Sequence, residues 1–228
     1  MAKHIPVPHS QTAGTGTVNF NPTVNVVCED GIDIYPPTRV QQILGDHGLP
    51  TRITDTPIEA EANIFLGVKG SNGIAVQKAA ALGLNTDVLS KDNKFDRHIL
   101  SLTDGGSGNA QLVIIGENTD ATFYGLASLE QMLDQGTTGL PTVTINDYAD
   151  LKERGIIEGF YGKPYDNEVR KDLMRYMMRF KMNSYVYGPK CDPYHSSTWA
   201  DPYPTTITST QDRSEEHTSE LQSPDHLV

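Results

Sequence analysis

Two residues that could bind a polyhydroxylated ligand follow consecutive strand-like segments. Gly159 lies where the strand-like run 155–160 passes into a glycine-rich loop, and Lys190 lies in the loop that follows residues 184–187. The C-terminal ends of parallel strands are where α/β barrels place their ligand-binding groups. A glycine lets a hydroxyl group approach its main-chain carbonyl, and a lysine ammonium can donate to a hydroxyl oxygen. The spacing fits a packing glycine and a lysine on the rim equally well, so both interpretations stay open.

Other candidate sites lack residues that their chemistry needs. The glycine-rich run 105–108 has no Lys-Ser or Lys-Thr at the phosphate-loop spacing and precedes a strand-like segment, so a surface turn fits it better. The seven histidines show no metal-ligand spacing, and nothing in the sequence pairs Cys191 with a base. We therefore expect no metal site and no cofactor.

Composition and charge exclude several classes of partner. Eighteen basic against 29 acidic residues give a net charge of −11, which argues against binding nucleic acid or an anionic membrane through the overall field. No run approaches the roughly 18 consecutive apolar residues of a membrane span. The N-terminus shows no apolar signal-peptide segment, and the two cysteines leave the redox compartment undecided.

Strand-like and helical segments alternate through residues 23–150, which predicts an N-terminal α/β domain. The strand-like runs are 24–27, 63–68, 97–103, 111–116 and 142–145. Helical stretches follow Pro36-Pro37, Ile74 and Thr119, and Thr119 is predicted to cap the third of them. Residues 1–22 are rich in Thr, Gly, Asn and Pro and predict an irregular arm.

A second unit is predicted to begin near Leu151. Residues 155–160 predict a buried strand, Asp166 can cap a helix that runs to about Phe180, and residues 184–187 predict another strand. Strand, helix and strand over so short a distance form one βαβ unit. Residues 213–228 show no apolar periodicity and resemble a translated sequencing adapter, so they are predicted to be a non-native tail.

Three segments closely resemble glycoside hydrolase family 84. They are 154–165 (Arg-Gly-Ile-Ile-Glu-Gly-Phe-Tyr-Gly-Lys-Pro-Tyr), 181–190 (Lys-Met-Asn-Ser-Tyr-Val-Tyr-Gly-Pro-Lys) and 192–195 (Asp-Pro-Tyr-His). The family contains β-N-acetylglucosaminidases, among them protein O-GlcNAcases and clostridial hyaluronidases. The resemblance implies that residues 151–212 begin a catalytic (β/α)8 barrel, and that the preceding residues form the family's accessory α/β domain.

The activity implied is retaining, substrate-assisted hydrolysis of terminal N-acetylglucosaminides in glycans or glycoproteins, one of the exceptions to the usual two-carboxylate scheme. In the family, the glycine at Gly159 contacts a sugar hydroxyl through its backbone, and the lysine at Lys190 also binds the sugar. Bacterial members are commonly exported, so a secreted or periplasmic parent fits, and the localisation stays open.

Two departures from the family pattern matter. The family usually has Asp-Asp after the sugar-binding lysine, whereas this chain has Cys191-Asp192. No adjacent aspartate pair occurs anywhere in the sequence, and a complete barrel needs about 250 residues. We therefore expect a fragment of the enzyme that carries no catalytic residue and does not hydrolyse aryl N-acetylglucosaminides.

Two alternatives remain at this point. The chain could be a non-catalytic carbohydrate-binding or interaction module, or it could belong to another N-acetylhexosaminidase family with a similar accessory domain. An open βαβ unit also leaves strand edges unpaired, so residues 1–150 are expected to fold alone and residues 151–228 to be loosely ordered or to associate.

Overall fold

A computed structural model describes residues 3–20, 22–159 and 165–188. The chain separates after Lys152 into two compact units, unit 1 (Met1–Lys152) and unit 2 (Glu153–Val228). Strands and helices alternate in both units, so the predicted α/β class is confirmed. Among the described residues, no helix combines the length and the apolar character needed to cross a membrane.

Unit 1 contains seven strands and three helices within its described residues. The strands are β1 (Ser10–Val18), β2 (Val24–Cys28), β3 (Thr51–Thr54), β4 (Ala62–Val68), β5 (Phe95–Asp104), β6 (Ala110–Gly116) and β7 (Leu140–Ala149). The helices are α1 (Tyr35–Asp46), α2 (Ile74–Ala81) and α3 (Thr119–Leu133).

The seven strands form one mixed sheet in the order β1-β7-β5-β6-β4-β2-β3. Strands β3, β2, β4 and β6 are parallel neighbours. Strand β5 runs antiparallel to both β6 and β7, and β1 runs antiparallel to β7. The loops and helix N-termini that follow β2, β4 and β6 therefore lie at the same end of these parallel strands.

Helices cover both faces of this sheet. Successive side chains of a strand point to opposite faces, so neighbouring residues of one strand pack against different helices. Ile114 of β6 belongs to a cluster that includes the buried residues of α1 and α3. Its neighbour Val113 belongs to a second cluster with Ala75 and Ala79 of α2. Both faces of the central strands are thus buried, which explains their continuous apolar runs.

The predicted irregular arm at residues 1–22 is wrong for nine of its residues. Ser10–Val18 forms strand β1 at the edge of the sheet and pairs with β7, with a register shift between Ala13 and Thr17. Most of its side chains are exposed, so the strand shows no apolar alternation. Its position depends on main-chain pairing and on the buried side chains of Val18 and Phe20, which a periodicity argument does not detect.

The cap of α3 also differs from the prediction. Asn118, not Thr119, is the N-cap residue, and its side chain accepts a hydrogen bond from the Ala121 N–H at 2.9 Å. We expect Asn118→Ala to lower the free energy of unfolding of unit 1 by about 1 kcal/mol, the usual contribution of such a cap. Thr119→Ala is the matched control and should cost less than half as much in urea denaturation. Equal losses in the two variants would contradict this assignment.

Unit 2 contains β8 (Gly155–Glu158), α4 (Asn167–Arg179) and β9 (Ser184–Tyr187) among its described residues. The two strands pair in parallel across the helix connection, so the predicted strand–helix–strand order is confirmed. Asp166 caps α4 by accepting a hydrogen bond from the Val169 N–H, also as predicted.

The first strand of unit 2 is not buried along its length as predicted. Glu158 is 1% exposed, but the side chain of Ile157 is 72% exposed. Within the described part of the chain β8 pairs with β9 alone, so an apolar side chain can lie on an uncovered face even in a strand.

Candidate active-site entrance

Gly159 lies directly after β8 and is half-buried. A Cβ added at this position would lie 3.3 Å from the Ile157 side chain, and the backbone is not in the left-handed region. This distance is tighter than most Cβ contacts in folded proteins, so packing against Ile157 is itself a reason for glycine here. The two interpretations that the sequence left open, a packing glycine and close approach of a ligand to the main chain, therefore both stay predictions.

Lys190, Cys191 and Asp192 lie outside the described residues, so the prediction that Lys190 binds sugar stays a prediction. The last described residue before them is Gly188, whose N–H donates to the Glu158 carbonyl at 2.9 Å. This bond joins the C-terminal ends of β8 and β9. Residues that follow the two strands consequently start from the same edge, as the sequence argument assumed.

A buried carboxylate stabilises the C-terminal ends of β8 and β9. The side chain of Glu158 is fully buried and accepts two hydrogen bonds from the Arg170 guanidinium, Nε to Oε2 at 2.8 Å and Nη2 to Oε1 at 2.9 Å. The hydroxyl of Tyr185 donates to Oε2, and the Tyr165 N–H donates to Oε1 at 3.0 Å. The Arg170 guanidinium also lies 4.8 Å from the centre of the Tyr187 ring.

These contacts set the ionisation of the cluster. Burial by itself raises the pKa of Glu158, but hydrogen bonds from Arg170, Tyr185 and the Tyr165 N–H together hold that pKa below its usual value. Burial and the hydrogen bond to Glu158 raise the pKa of the Tyr185 hydroxyl. Burial tends to lower the pKa of Arg170, but the bond to Glu158 leaves it above its ordinary value. The pair is therefore ionised at neutral pH, with Tyr185 protonated.

Glu158 is suited to positioning and not to proton transfer. Its oxygens accept from one guanidinium, one hydroxyl and one main-chain N–H, and a depressed pKa makes it a poor general acid at neutral pH. Its hydrogen bonds connect the end of β8 to Tyr165, to α4 and to β9. The main chain of Gly159, the next residue, is thereby fixed in place.

Sequence reasoning did not identify this cluster. Glu158 is part of the motif at residues 154–165, and Arg170 lies on the polar side of α4, whose apolar residues form the predicted core face. The available signal was an acidic residue inside an apolar strand, since buried acids are almost always paired. Nothing in the spacing of 12 residues identifies Arg170 as the partner.

The described residues do not provide an alternative metal centre in either unit. Among them, no group of three or more His, Cys, Asp and Glu side chains is placed to hold a metal ion.

Two family models match the chain, one in each unit. Residues 3–148 match the model described as glycosyl hydrolase family 20, domain 2, and residues 154–215 match the model described as beta-N-acetylglucosaminidase. The second match contains β8, α4, β9 and the Glu158 cluster.

Known proteins resemble the same segments. Protein O-GlcNAcase of Rattus norvegicus is 43% identical over 49 residues, which are 22% of this chain and 5% of that protein. The solved structure of CpGH84D is 32% identical with a TM-score of 0.79, covering 97% of this chain and 36% of CpGH84D. CpGH84B is 27% identical with a TM-score of 0.72, covering 96% and 35%.

The chain thus spans about a third of the length of these solved relatives. The match covers both units, and it combines sequence identity with a common fold. On these grounds the chain belongs to the β-N-acetylglucosaminidase-like proteins of glycoside hydrolase family 84.

Proposed function

We propose that this chain forms the accessory domain and the first part of the catalytic barrel of a retaining β-N-acetylglucosaminidase. The natural substrates would be terminal N-acetylglucosaminides of glycans or glycoproteins. The observation that carries the proposal is the buried Glu158 cluster, which fixes the main chain of Gly159 inside the segment that matches the beta-N-acetylglucosaminidase model. In this proposal the predicted accessory α/β domain (residues 23–150) lies in unit 1, and the start of the barrel is assigned to residues 151–212.

The role proposed for this segment is to hold the sugar, not to cleave it. The Gly159 carbonyl accepts a hydrogen bond from a sugar hydroxyl, and the Lys190 ammonium donates one to a second oxygen. Rigid placement of such groups favours one orientation of the ring. Together they would keep the 2-acetamido group turned towards the anomeric carbon that it attacks.

The covalent step lies outside what this sequence supplies. In substrate-assisted hydrolysis, the acetamido oxygen bonds to the anomeric carbon as the glycosidic bond breaks, and a protein acid protonates the leaving oxygen. Water then opens the oxazoline, the five-membered ring formed in the first step. The family uses two adjacent aspartates for this, and the sequence contains no such pair, so we assign the chain no catalytic residue.

Binding of N-acetylglucosamine to the ¹⁵N-labelled 228-residue chain tests the proposal. We expect millimolar N-acetylglucosamine to move the Gly159 amide signal saturably. Lys190→Ala should weaken this binding about tenfold or more, because a hydrogen bond to a charged group contributes about 1.5–3 kcal/mol. Lys171→Ala is the matched control, since Lys171 is an exposed lysine that pairs with Glu168 on α4, and it should leave the affinity unchanged.

Two results would contradict the proposed sugar contacts. One is an unchanged Gly159 signal at saturating N-acetylglucosamine in a chain whose β8 and β9 signals are dispersed. The other is equal affinity in the Lys190→Ala and Lys171→Ala variants.

A further inference from the structure

Unit 1 has a polar cavity of about 400 Å³ that the proposed activity does not use. It lies where the start of β1, the end of β7 and the short helical turn Asp87–Ser90 meet. The lining residues are His9, Ser10, Asn85, Asp87, Val88, Lys91, Asn146 and Tyr148. The volume is within the range of about 300–1,000 Å³ of small-molecule sites, and seven of these eight side chains carry a polar group.

One polar atom of the lining is buried without a partner. Asn146 Oδ1 is inaccessible to solvent and has no hydrogen-bond partner in the part of the chain that the structure describes. A buried polar atom without a hydrogen bond costs about 1–3 kcal/mol, and each such atom in a folded protein calls for an explanation. Because solvent does not reach Oδ1, a ligand in the cavity would remove this cost only if the Asn146 side chain turned towards it.

The other polar groups supply both donors and acceptors. Lys91 Nζ donates to the Tyr148 hydroxyl at 2.9 Å, which leaves two of its three N–H groups. The Asn85 Oδ1 atom accepts from the Asp87 N–H at 2.8 Å, so its amide nitrogen is directed elsewhere. The Asp87 carboxylate adds acceptors. One cation and one anion also leave the lining without excess charge.

One wall of the cavity is already ordered before a ligand binds. The rings of His9 and Tyr148 stack with their centres 3.6 Å apart. His9 Nδ1 and Nε2 are hydrogen-bonded to Asp147 at 3.0 Å and to Asp150 at 3.1 Å. Side chains held in this way lose little conformational entropy when a ligand binds, which favours affinity.

We propose that this cavity is a binding site for a neutral saccharide. Sugar hydroxyls donate and accept at the same time, so they match the mixed donors and acceptors that Lys91, Asn85 and Asp87 supply. A phosphate or carboxylate would face the Asp87 carboxylate, and an organic cation would face Lys91. None of these residues belongs to the site proposed at Gly159 and Lys190, so either site can exist without the other.

Titration of the ¹⁵N-labelled 228-residue chain with N,N′-diacetylchitobiose, with maltose and, as an anionic control, with glucuronate tests the proposal. At least one of the two sugars should move the amide signals of Asn85, Asp87 and Asn146 saturably at millimolar concentration. Asp87→Ala and Asn146→Ala should each weaken this binding about tenfold, the effect of losing about 1.4 kcal/mol. Asp92→Ala is the control, because Asp92 is exposed in the same loop and does not line the cavity.

Several outcomes would overturn the assignment. These are no saturable change at the cavity signals with either sugar, binding of glucuronate alone, or an Asp87→Ala affinity equal to that of Asp92→Ala. Because Asp87 is exposed, its replacement leaves the fold intact and the comparison valid even if Asn146→Ala does not fold. Signals at Gly159 report the other site separately, so failure of one proposal does not obscure the other.

Discussion

Replacing Arg170 by alanine is expected to lower the free energy of unfolding of unit 2 by about 3–5 kcal/mol, the usual cost of removing one partner of a buried ion pair. The loss is large because Glu158 would keep its full burial but lose two of its hydrogen bonds. The order of the Gly159 main chain depends on the same carboxylate. We therefore expect amide hydrogen exchange in β8 and β9 to accelerate strongly, while exchange in unit 1 changes little.

The loss of unfolding free energy in Arg170→Ala should become smaller as the pH falls. The pKa of Glu158 is lowered in the folded chain, so its ionised form contributes stability above the unfolded value of about 4.3. That stability is lost as the pH falls through the folded pKa. In Arg170→Ala, burial without the guanidinium raises the pKa of Glu158, so the difference from the wild type should be largest near pH 7 and should narrow under acidic conditions.

Two variants serve as controls for this prediction. Arg175→Ala removes an exposed arginine that pairs with Asp172 on the same helix, and it should cost less than about 1 kcal/mol. The double variant Arg170→Ala/Glu158→Gln removes the unpaired charge and should recover part of the loss. Equal destabilisation by Arg170→Ala and Arg175→Ala would show that the buried pair does not stabilise unit 2.

The parts of the fold that were predicted correctly share one property. Strands β2, β4 and β6 are buried on both faces, and their side chains give mostly apolar runs of strand length. Helix α4 has both its cap at Asp166 and its amphipathic pattern within the local sequence. Such elements can be identified because the residues that stabilise them are close together in the chain.

The elements that were missed depend on distant partners. Strand β1 pairs with β7, more than 120 residues away, through main-chain groups that carry no side-chain signature. Strand β3 (Thr51–Thr54) has no buried residue and occupies the opposite edge of the sheet. Their local composition is that of a loop, and tertiary pairing overrides it.

The residues of the candidate site also differ in whether the local sequence identifies them. Gly159 could be singled out because it follows a strand inside a specific motif, and the structure places it at the end of β8. The role of Glu158 could not be inferred, because its donors come from three separate elements that only folding brings together. The unpaired Asn146 Oδ1 could not be predicted either, because whether a polar atom has a partner is a property of the packed structure.

Glu29→Ala should be the corresponding disruption of unit 1, with a loss of about 2–4 kcal/mol. Glu29 follows β2 and is 8% exposed. Its carboxylate accepts from the Val68 N–H at 2.9 Å and from the Ala75 N–H at 3.1 Å. Removing the acceptor leaves two main-chain donors unsatisfied, at about 1–3 kcal/mol each. The carboxylate also takes the place of an N-cap for α2, because the N-cap residue Gly73 has no side chain.

The local packing explains why no other residue can take over this role. A Cβ at Gly67 or Gly73 would overlap the Glu29 side chain, so both glycines make room for the carboxylate between the ends of β2 and β4. In urea denaturation of the 228-residue chain, Glu29→Gln should lose less than Glu29→Ala, since the amide oxygen can still accept one of the two N–H groups. The exposed Glu59 provides the control: Glu59→Ala should change stability by less than about 0.5 kcal/mol. If Glu29→Ala were as stable as Glu59→Ala, the carboxylate would be dispensable, and the joint of β2, β4 and α2 would depend on apolar packing alone.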